Sequence, residues 1–227
     1  MGILKGQVAV ISGAGTGLGR AAAIAFAQEG ANVVLLGRRQ HKLDETASLI
    51  SQAGPGTART LVVPTDVSDE EQVIHAVEAA LHEFGRLDIV INNAAVFEPG
   101  EVIELTRSEW ERQIAVNLTG PFLLTKAALP SMRKAHFGRI INITSGLAPN
   151  GAGGYAAYSA AKAGLESLTR TVADEENEHG ILVNLFNPGT LKTEMHATGK
   201  EPEVVTPDLL RLATLPPGGP SGTLVTY

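Results

Sequence analysis

Residues 12–19 read Ser12-Gly13-Ala14-Gly15-Thr16-Gly17-Leu18-Gly19 and stand between a short apolar run and a long alanine-rich stretch. The run Gln7–Ser12 is typical of a buried strand, and Leu18–Glu29 is typical of a helix that Gly30 ends. Glycines between a strand and a helix let the backbone approach a pyrophosphate, which the amides at the helix N-terminus can bind. The stretch therefore predicts the first βα unit of a dinucleotide-binding fold; a purely structural glycine turn is the alternative.

Strand and helix patterns alternate along the rest of the chain. Strands separated by helices imply right-handed crossovers and a parallel sheet covered on both faces. We therefore predict an α/β fold in which residues 1–227 form a single doubly wound Rossmann-type domain around a seven-stranded parallel sheet. Pro121 and Pro130 predict bends or a late break in the longest helix. The further strands are expected at Asn32–Leu36, Leu61–Val63, Leu87–Asn92, Arg139–Thr144, Ile181–Phe186 and Thr223–Tyr227, and the helices at Gln40–Ala53, from Ser68 or Asp69, at Thr106–Lys134, at Tyr155–Glu178 and after Pro207.

The composition excludes several classes of function. The chain has 227 residues, 44% hydrophobic content, a net charge of -6 and no cysteine. Disulfides, a thiol nucleophile and cysteine-ligated metals are excluded, and the six histidines show no ligand spacing, so no metal site is predicted. The acidic balance argues against a nucleic acid partner. No stretch is typical of a signal peptide or a membrane span, so we expect a cytoplasmic protein with no membrane partner.

The second predicted strand ends in Leu36-Gly37-Arg38-Arg39. An acidic residue at this point binds the ribose 2′-hydroxyl of NAD, whereas an arginine accommodates the 2′-phosphate of NADP. Gly37 occupies the acidic position and two arginines follow it, which favours NADP(H) over NAD(H). The alternative is that the arginines form the solvated start of a helix.

Two further strand ends carry candidate contacts to a flat cofactor. Asp66-Val67 follows the third strand, and Asp66 is expected either to accept a hydrogen bond from an adenine amino group or to cap the next helix. The fourth strand runs into Asn92-Asn93-Ala94-Ala95, where small residues let the backbone approach a ligand. Asparagines also stabilise the turns at strand ends. Neither motif alone decides between binding and a structural role.

Ser145, Tyr158 and Lys162 are the candidate chemical groups. Ser145 follows the fifth strand, and Tyr158 and Lys162 stand four residues apart on a predicted helix, so they share a helix face. A tyrosine with a pKa of about 10 is a weak base near neutrality, but an adjacent ammonium and an oxidised nicotinamide would lower that pKa. Ser145 would then polarise the substrate oxygen. Taken alone, the fragment slightly favours an interface tyrosine and a solvated lysine.

Taken together, these motifs resemble the short-chain dehydrogenase/reductase family over nearly the whole chain. The family's T-G-x-x-x-G-x-G appears at 12–19 with serine for threonine, and its N-N-A-G appears at 92–95 with alanine for the last glycine. The stretch Asn187-Pro188-Gly189-Thr190-Leu191-Lys192-Thr193 is similar to the family's P-G segment. The resemblance implies an NAD(P)(H)-dependent oxidoreductase that moves hydride between nicotinamide and a carbonyl or alcohol.

The resemblance also implies a catalytic tetrad of Asn117, Ser145, Tyr158 and Lys162. In such a tetrad Tyr158 is the general acid and base, and Lys162 binds the nicotinamide ribose. Asn117 connects the lysine to a proton relay through a backbone carbonyl and a water.

By the same resemblance, the cofactor lies along the strand ends, with Leu191 and Thr193 holding the nicotinamide carboxamide. A segment of about 194–207 is expected to cover the substrate and is short for the family, which implies an open pocket or one completed by another subunit. Other expected pocket walls are Ala94–Phe97, Leu147–Gly154 and Leu191–Met195. The expected cofactor contacts are Ser12, Gly13, Gly15, Thr16, Gly17, Leu18, Gly19, Arg38, Arg39, Asp66, Val67, Asn93, Ala94, Ala95, Tyr158, Lys162, Pro188, Gly189, Leu191 and Thr193.

The expected partners are a small carbonyl or alcohol substrate and further copies of the chain. The family implies a homotetramer built through the long helices, with a homodimer as the second choice.

A non-catalytic NAD(P)-binding sensor is the main alternative function, but it would not need Ser145, Tyr158 and Lys162 in register. A sugar-nucleotide epimerase or dehydratase would need a larger C-terminal domain. A serine hydrolase would need a G-x-S-x-G elbow and an activating histidine, and Ser145 has neither.

Overall fold

The computed structural model describes residues 2–53, 58–194 and 196–227. The stretch Gly54-Pro55-Gly56, which follows the predicted helix Gln40–Ala53, and the predicted pocket residue Met195 lie outside the described residues. The strands are β1 (Val8–Ser12), β2 (Asn32–Gly37), β3 (Thr60–Pro64), β4 (Ile89–Asn92), β5 (Gly138–Ile143), β6 (Ile181–Asn187) and β7 (Leu224–Thr226), and the helices are α1 (Gly17–Gln28), α2 (Gln40–Gln52), α3 (Glu70–Phe84), α4 (Arg107–Ile114), α5 (Gly120–Ala135), α6 (Leu147–Asn150), α7 (Ala156–Glu175) and α8 (Thr206–Ala213).

The sheet confirms the predicted doubly wound architecture. Its seven strands run in the order β3-β2-β1-β4-β5-β6-β7, and every neighbouring pair is parallel. The chain moves outward in one direction from β1 and in the other from β4, so the crossovers reverse between these two central strands. All carboxyl ends meet at one edge, which is where ligands bind in folds of this kind.

Two apolar layers bury the sheet on both faces, which explains why its strands read as nearly continuous Val, Ile and Leu. On one face, Phe26 of α1 and Leu209 of α8 pack in the same cluster as Ile11 and Ile91. On the other face, helices α3, α5 and α7 form the cover. Their buried cluster members are Val73, Ala76, Val77, Ala80, Leu123, Leu124, Ala128, Met132, Val172 and Ala173.

Local sequence signals set several helix ends. Asp69 begins α3 by accepting a hydrogen bond from the Gln72 amide, and Gly85, with φ +74°, ends it. Thr106 and Glu109 form a reciprocal capping box at the start of α4. The predicted helix Tyr155–Glu178 is instead α7 followed by a 3-10 turn at Asn177–His179.

The predicted long helix Thr106–Lys134 is interrupted just before Pro121, one of the two prolines predicted to bend or break it. The π-helical turn Ala115–Thr119 separates α4 from α5, and the Gly120 amide donates to the Ala115 carbonyl. Pro121 explains this break, because it has no amide hydrogen to bond the Asn117 carbonyl four residues earlier. Pro130, by contrast, lies inside α5 without ending it.

A buried serine joins the two central strands where the crossovers reverse. The Ser12 hydroxyl accepts hydrogen bonds from the Asn93 and Ala94 amides, each at 3.0 Å, and donates to the Ile91 carbonyl at 3.2 Å. The Asn93 side-chain amide donates a hydrogen bond to the Ser12 carbonyl at 2.9 Å. These bonds fix the loop after β4 against the turn after β1.

We predict that Ser12→Ala lowers the free energy of unfolding by about 1–3 kcal/mol, because it leaves buried amide donors without their acceptor. Ser12→Thr keeps the hydroxyl and should retain most of the wild-type stability. Urea unfolding of the three proteins checks this, and equal stability of Ser12→Ala and wild type would contradict the structural role given to the hydroxyl.

Candidate active site

A cavity of about 810 Å³ runs along the carboxyl edge of the sheet. Loops that follow β1 through β6 all contribute to its walls. Its volume lies in the range of small-molecule sites, about 300–1,000 Å³. The cavity brings together most of the residues that the sequence singled out.

Three of the sequence-predicted site residues lie behind the cavity wall instead of lining it. Ser12 makes the strand junction described above, Gly19 packs against the first turn, and Asn117 is fully buried. Of the predicted wall Leu147–Gly154, Leu147 lines the cavity. The predicted residues that do line it are Gly13, Gly15, Thr16, Gly17, Leu18, Arg38, Arg39, Asp66, Val67, Asn93, Ala94, Ala95, Ser145, Tyr158, Lys162, Pro188, Gly189, Leu191 and Thr193.

The glycine turn after β1 packs too closely against its neighbours to admit side chains at Gly13 and Gly19. Gly13 has φ +67°, and a Cβ there would lie 2.8 Å from Asn93 Nδ2. A Cβ on Gly19 would lie 2.2 Å from the Gly13 carbonyl oxygen, so only glycine permits this approach of α1 to the turn. Thr16 begins α1 without a side-chain cap bond, and Gly17 and Leu18 line the cavity. The first amides of α1 therefore offer a site for an anion.

The end of β2 supplies positive charge to the same cavity. Arg38, Arg39 and Lys42 all line it, and Gly37 places no carboxylate there. Arg39 forms an ion pair with Glu194 at 2.6 Å. Lys42 pairs with Glu45 at 3.0 Å, whereas Arg38 makes no ion pair with any described residue.

Asp66 lines the cavity after β3 and does not cap α3, since Asp69 performs that role. The Ser68 hydroxyl and amide donate to Asp66 Oδ1 at 2.6 and 3.0 Å. Burial opposes ionisation, but these hydrogen bonds prevail and lower the pKa of the Asp66 carboxyl. Asp66 is therefore an ionised acceptor at the cavity wall.

Tyr158 points its phenol into the part of the cavity that Ser145 also lines. Burial raises the pKa of this phenol, and hydrogen bonding with the Ser145 side chain partly offsets the rise. The sequence-based prediction of a lowered pKa invoked both Lys162 and a cationic nicotinamide. In the chain without a nicotinamide, desolvation of the phenolate is the largest effect, so the pKa rises. At neutral pH the chain itself therefore holds Tyr158 as the protonated phenol.

Lys162 is the buried cation of the site, with 2% of its surface exposed. Its Nζ donates to the Ile143 carbonyl at 2.8 Å and lies 5.6 Å from the centroid of the Tyr158 ring. Burial lowers the pKa of its ammonium to about 8. The helix spacing thus brings Lys162 beside Tyr158, as the sequence predicted, but the β5 carbonyl orients its amine.

Asn117 lies in the π-helical turn, one residue from the cavity-lining Val116. Its side chain accepts from the Val96 amide at 3.0 Å and donates to the Val96 carbonyl at 2.8 Å. These two bonds hold the cavity wall that follows β4. The missing amide hydrogen of Pro121 leaves the Asn117 carbonyl without its α-helical donor.

An aromatic wall of Phe97, Tyr155 and His196 closes the cavity beside Tyr158. The Phe97 ring stacks on Tyr155 at 5.1 Å, meets Tyr158 edge-on at 5.1 Å and lies 5.3 Å from the His196 ring. His196 belongs to the predicted substrate cover at about 194–207 and reaches the cavity on the loop after β6. The wall gives this end of the cavity an apolar surface with polar edges.

Sequence reasoning also missed Lys42 and Arg112 as lining residues. Lys42 lies three residues after Arg39 on α2, and this helical spacing was a usable signal. Arg112 pairs with Glu98 across the cavity rim, which only the fold reveals.

Two negative observations concern the residues that the structure describes. No helix among them is long and apolar enough to cross a membrane. Within the same residues, His, Asp and Glu side chains form no group of three or more that could hold a metal ion.

Comparison with known proteins supports the fold and the family. Residues 7–203 match the family model for short chain dehydrogenases. A trans-4-hydroxycyclohexanecarboxylate dehydrogenase from Sinomonas cyclohexanicum is 43% identical over 194 residues, which cover 84% of this chain and 74% of the relative. The crystal structure of levodione reductase superposes with a TM-score of 0.93 at 28% identity, covering 99% of this chain and 96% of the other.

A metagenomic short-chain oxidoreductase solved in complex with NADP is similar as well, with a TM-score of 0.89 at 34% identity, covering 99% of this chain and 98% of the other. The family match spans most of the chain, and the two solved structures share its fold over nearly their whole length. This chain therefore belongs to the short-chain dehydrogenase/reductase family of NAD(P)-binding oxidoreductases.

Proposed function

We propose that the chain catalyses reversible hydride transfer between NAD(P)(H) and a carbonyl or alcohol, with Tyr158 as the general acid and base. The observation that carries this proposal is the convergence of Ser145, Tyr158 and Lys162 in one cavity whose other end is the glycine turn. A dinucleotide extended between these ends would place its nicotinamide beside Tyr158. A non-catalytic sensor would need the glycine turn but not the phenol, hydroxyl and ammonium beside each other.

The residues present fit a nicotinamide dinucleotide. The glycine turn lines the cavity with backbone at Gly13, Gly15 and Gly17, and the first amides of α1 provide a pyrophosphate site. Bound there, the dinucleotide would supply or accept the hydride. The cofactor contacts expected from the sequence remain our assignment for the lining residues, whereas Ser12 and Gly19 hold those residues in place.

Tyr158 performs the proton transfer in this proposal. Burial keeps its phenol protonated near neutrality, which suits donation to a carbonyl oxygen during reduction. Ser145 would hold that oxygen with its hydroxyl. The Lys162 ammonium, held by the Ile143 carbonyl, would stabilise the phenolate left after donation and bind ribose hydroxyls. The Asn117 carbonyl is assigned to the proton relay.

We assign a preference for NADP(H) over NAD(H). Gly37 leaves the acidic position empty, and Arg38, Arg39 and Lys42 present three cations at the ribose end of the cavity. A guanidinium binds a phosphate through two hydrogen bonds, which a ribose hydroxyl cannot match.

The aromatic wall favours a ring-shaped carbonyl substrate, since Phe97 and Tyr155 offer broad apolar faces beside the Tyr158 hydroxyl. The relative named for a hydroxycyclohexanecarboxylate makes cyclic ketones the first compounds to test.

Of the proposed substrate cover at about 194–207, Glu194 and His196 line the cavity. Pro202 and Val205 are buried, so this part of the cover anchors the segment to the body of the protein.

We further propose that the chain acts as a single domain in the cytoplasm and assembles as a homotetramer, with a homodimer as the second choice. The outer faces of α5 and α7 support this assembly. They form a groove that includes Phe122, which is 44% exposed, together with Leu129 and Leu168.

We predict that Tyr158→Phe lowers kcat by about 100- to 10,000-fold, because it removes the proton donor and acceptor. The dissociation constant for NADPH should change little. Steady-state assays with cyclic ketones and a fluorescence titration with NADPH measure the two effects. Tyr155→Phe, which removes the hydroxyl of the other tyrosine that lines the cavity, is the matched control and should lower kcat far less. Near-normal turnover by Tyr158→Phe would refute the assignment.

We predict that the burial of Lys162 lowers the free energy of unfolding by an amount that depends on pH. Its pKa is about 8 in the folded chain against 10.5 for the unperturbed amine, so the unfolded state binds more protons between these values. The free energy of unfolding should therefore rise with pH from about 8 to 10.5 relative to Lys162→Met, by roughly 2–4 kcal/mol. Urea unfolding of both proteins at a series of pH values tests this. Parallel stability curves would show that the ammonium is not buried in the folded protein.

A further inference from the structure

An ion pair joins two loops that lie on opposite sides of the cavity. Arg39 follows β2 and Glu194 follows β6, and the strands β1, β4 and β5 lie between β2 and β6 in the sheet. The two side chains meet at 2.6 Å, although 155 residues separate them in sequence. Both residues line the cavity, so their contact spans its mouth.

The loop that carries Glu194 is held at both of its ends. The Lys192 amide donates to the Lys200 carbonyl at 2.8 Å, and the Lys200 amide donates to the Thr190 carbonyl at 3.1 Å. Thr193 lies against the glycine turn, since its Cγ2 is 3.0 Å from the position of a Cβ on Gly17. The described residues 190–194 and 196–200 therefore form a strap that places Glu194 at the cavity.

The charges around this contact favour an anion at Glu194. Arg39 contributes most to lowering the pKa of the Glu194 carboxyl, and Lys42 and Arg20 act in the same direction from a greater distance. Arg20 and Lys42 both form ion pairs with Glu45, at 2.9 and 3.0 Å. Arg39 is the cation that Glu194 engages directly, and its side chain remains 51% exposed. A guanidinium in this setting can exchange a carboxylate for a phosphate.

We propose that Glu194 is an internal competitor for the 2′-phosphate of the cofactor and so determines its specificity. The Glu194 carboxylate holds Arg39 when the bound dinucleotide carries a 2′-hydroxyl, and the 2′-phosphate of NADPH must displace it. The inference deepens the proposed function, because it rests on the cavity being a dinucleotide site. It assigns to Glu194 an effect on the choice between cofactors, separate from proton transfer at Tyr158.

The test compares the dissociation constants of NADPH and NADH by nucleotide fluorescence, without any substrate. Glu194→Gln removes the competing charge and keeps the size of the side chain. The ratio of the NADH constant to the NADPH constant should rise about 2- to 5-fold, as the loss of an exposed ion pair allows. Glu203→Gln is the matched control, because Glu203 lies further along the same connection, outside the cavity lining. Its ratio should equal that of the wild type.

A double-mutant cycle with Arg39→Gln identifies the partner. In the Arg39→Gln background, Glu194→Gln should no longer raise the ratio. The inference is overturned if Glu194→Gln tightens both nucleotides equally, if Glu203→Gln has the same effect, or if the increase persists without Arg39. A wild-type protein that binds neither nucleotide would instead contradict the dinucleotide site itself, and this inference with it.

Discussion

The site depends on one junction, where the Ser12 hydroxyl ties the end of β1 to the loop after β4. These are the strands from which the two halves of the sheet wind in opposite directions, so their loops diverge and leave a cleft. Asn93 reinforces the junction through the Ser12 carbonyl, and the absence of a side chain at Gly19 allows α1 to approach it. The direction of the first helix amides, and with it the position of the anion site, follows from this packing.

Burial sets the protonation of the side chains beside Ser145 in the same cavity. The same desolvation raises the pKa of the Tyr158 phenol and lowers that of the Lys162 ammonium, so the protein on its own disfavours both charged forms. An enzyme that donates a proton to a carbonyl benefits from the neutral phenol, and it needs the nearby cation only when the phenolate forms. The Ile143 carbonyl supplies the fixed dipole that keeps the buried amine in place until then.

Most of the fold could be predicted from the sequence, because buried parallel strands leave continuous apolar runs and the glycines at 13, 17 and 19 mark the first turn. The π-helical turn at Ala115–Thr119 could not, since Pro121 indicates a disturbed helix without showing how the helix accommodates it. The rise of the Tyr158 pKa in the chain alone could not be predicted, because the sequence reveals the neighbouring Lys162 but not the depth at which the phenol is buried. The Arg39–Glu194 contact joins distant loops and has no local signal. Ser12 was predicted as a cofactor contact, whereas its hydroxyl makes its hydrogen bonds within the strand junction.

The central claim is that this cavity transfers hydride and does not only bind a nucleotide. Incubating the protein with NADPH deuterated at C4 of the nicotinamide and a panel of cyclic ketones, followed by mass spectrometry of the alcohols, tests it most directly. The account predicts that deuterium appears on the carbinol carbon of at least one product, delivered from one face. Tight NADPH binding with no deuterium transfer to any ketone of the panel, or to matched aldehydes, would contradict it and favour a non-catalytic cofactor-binding module.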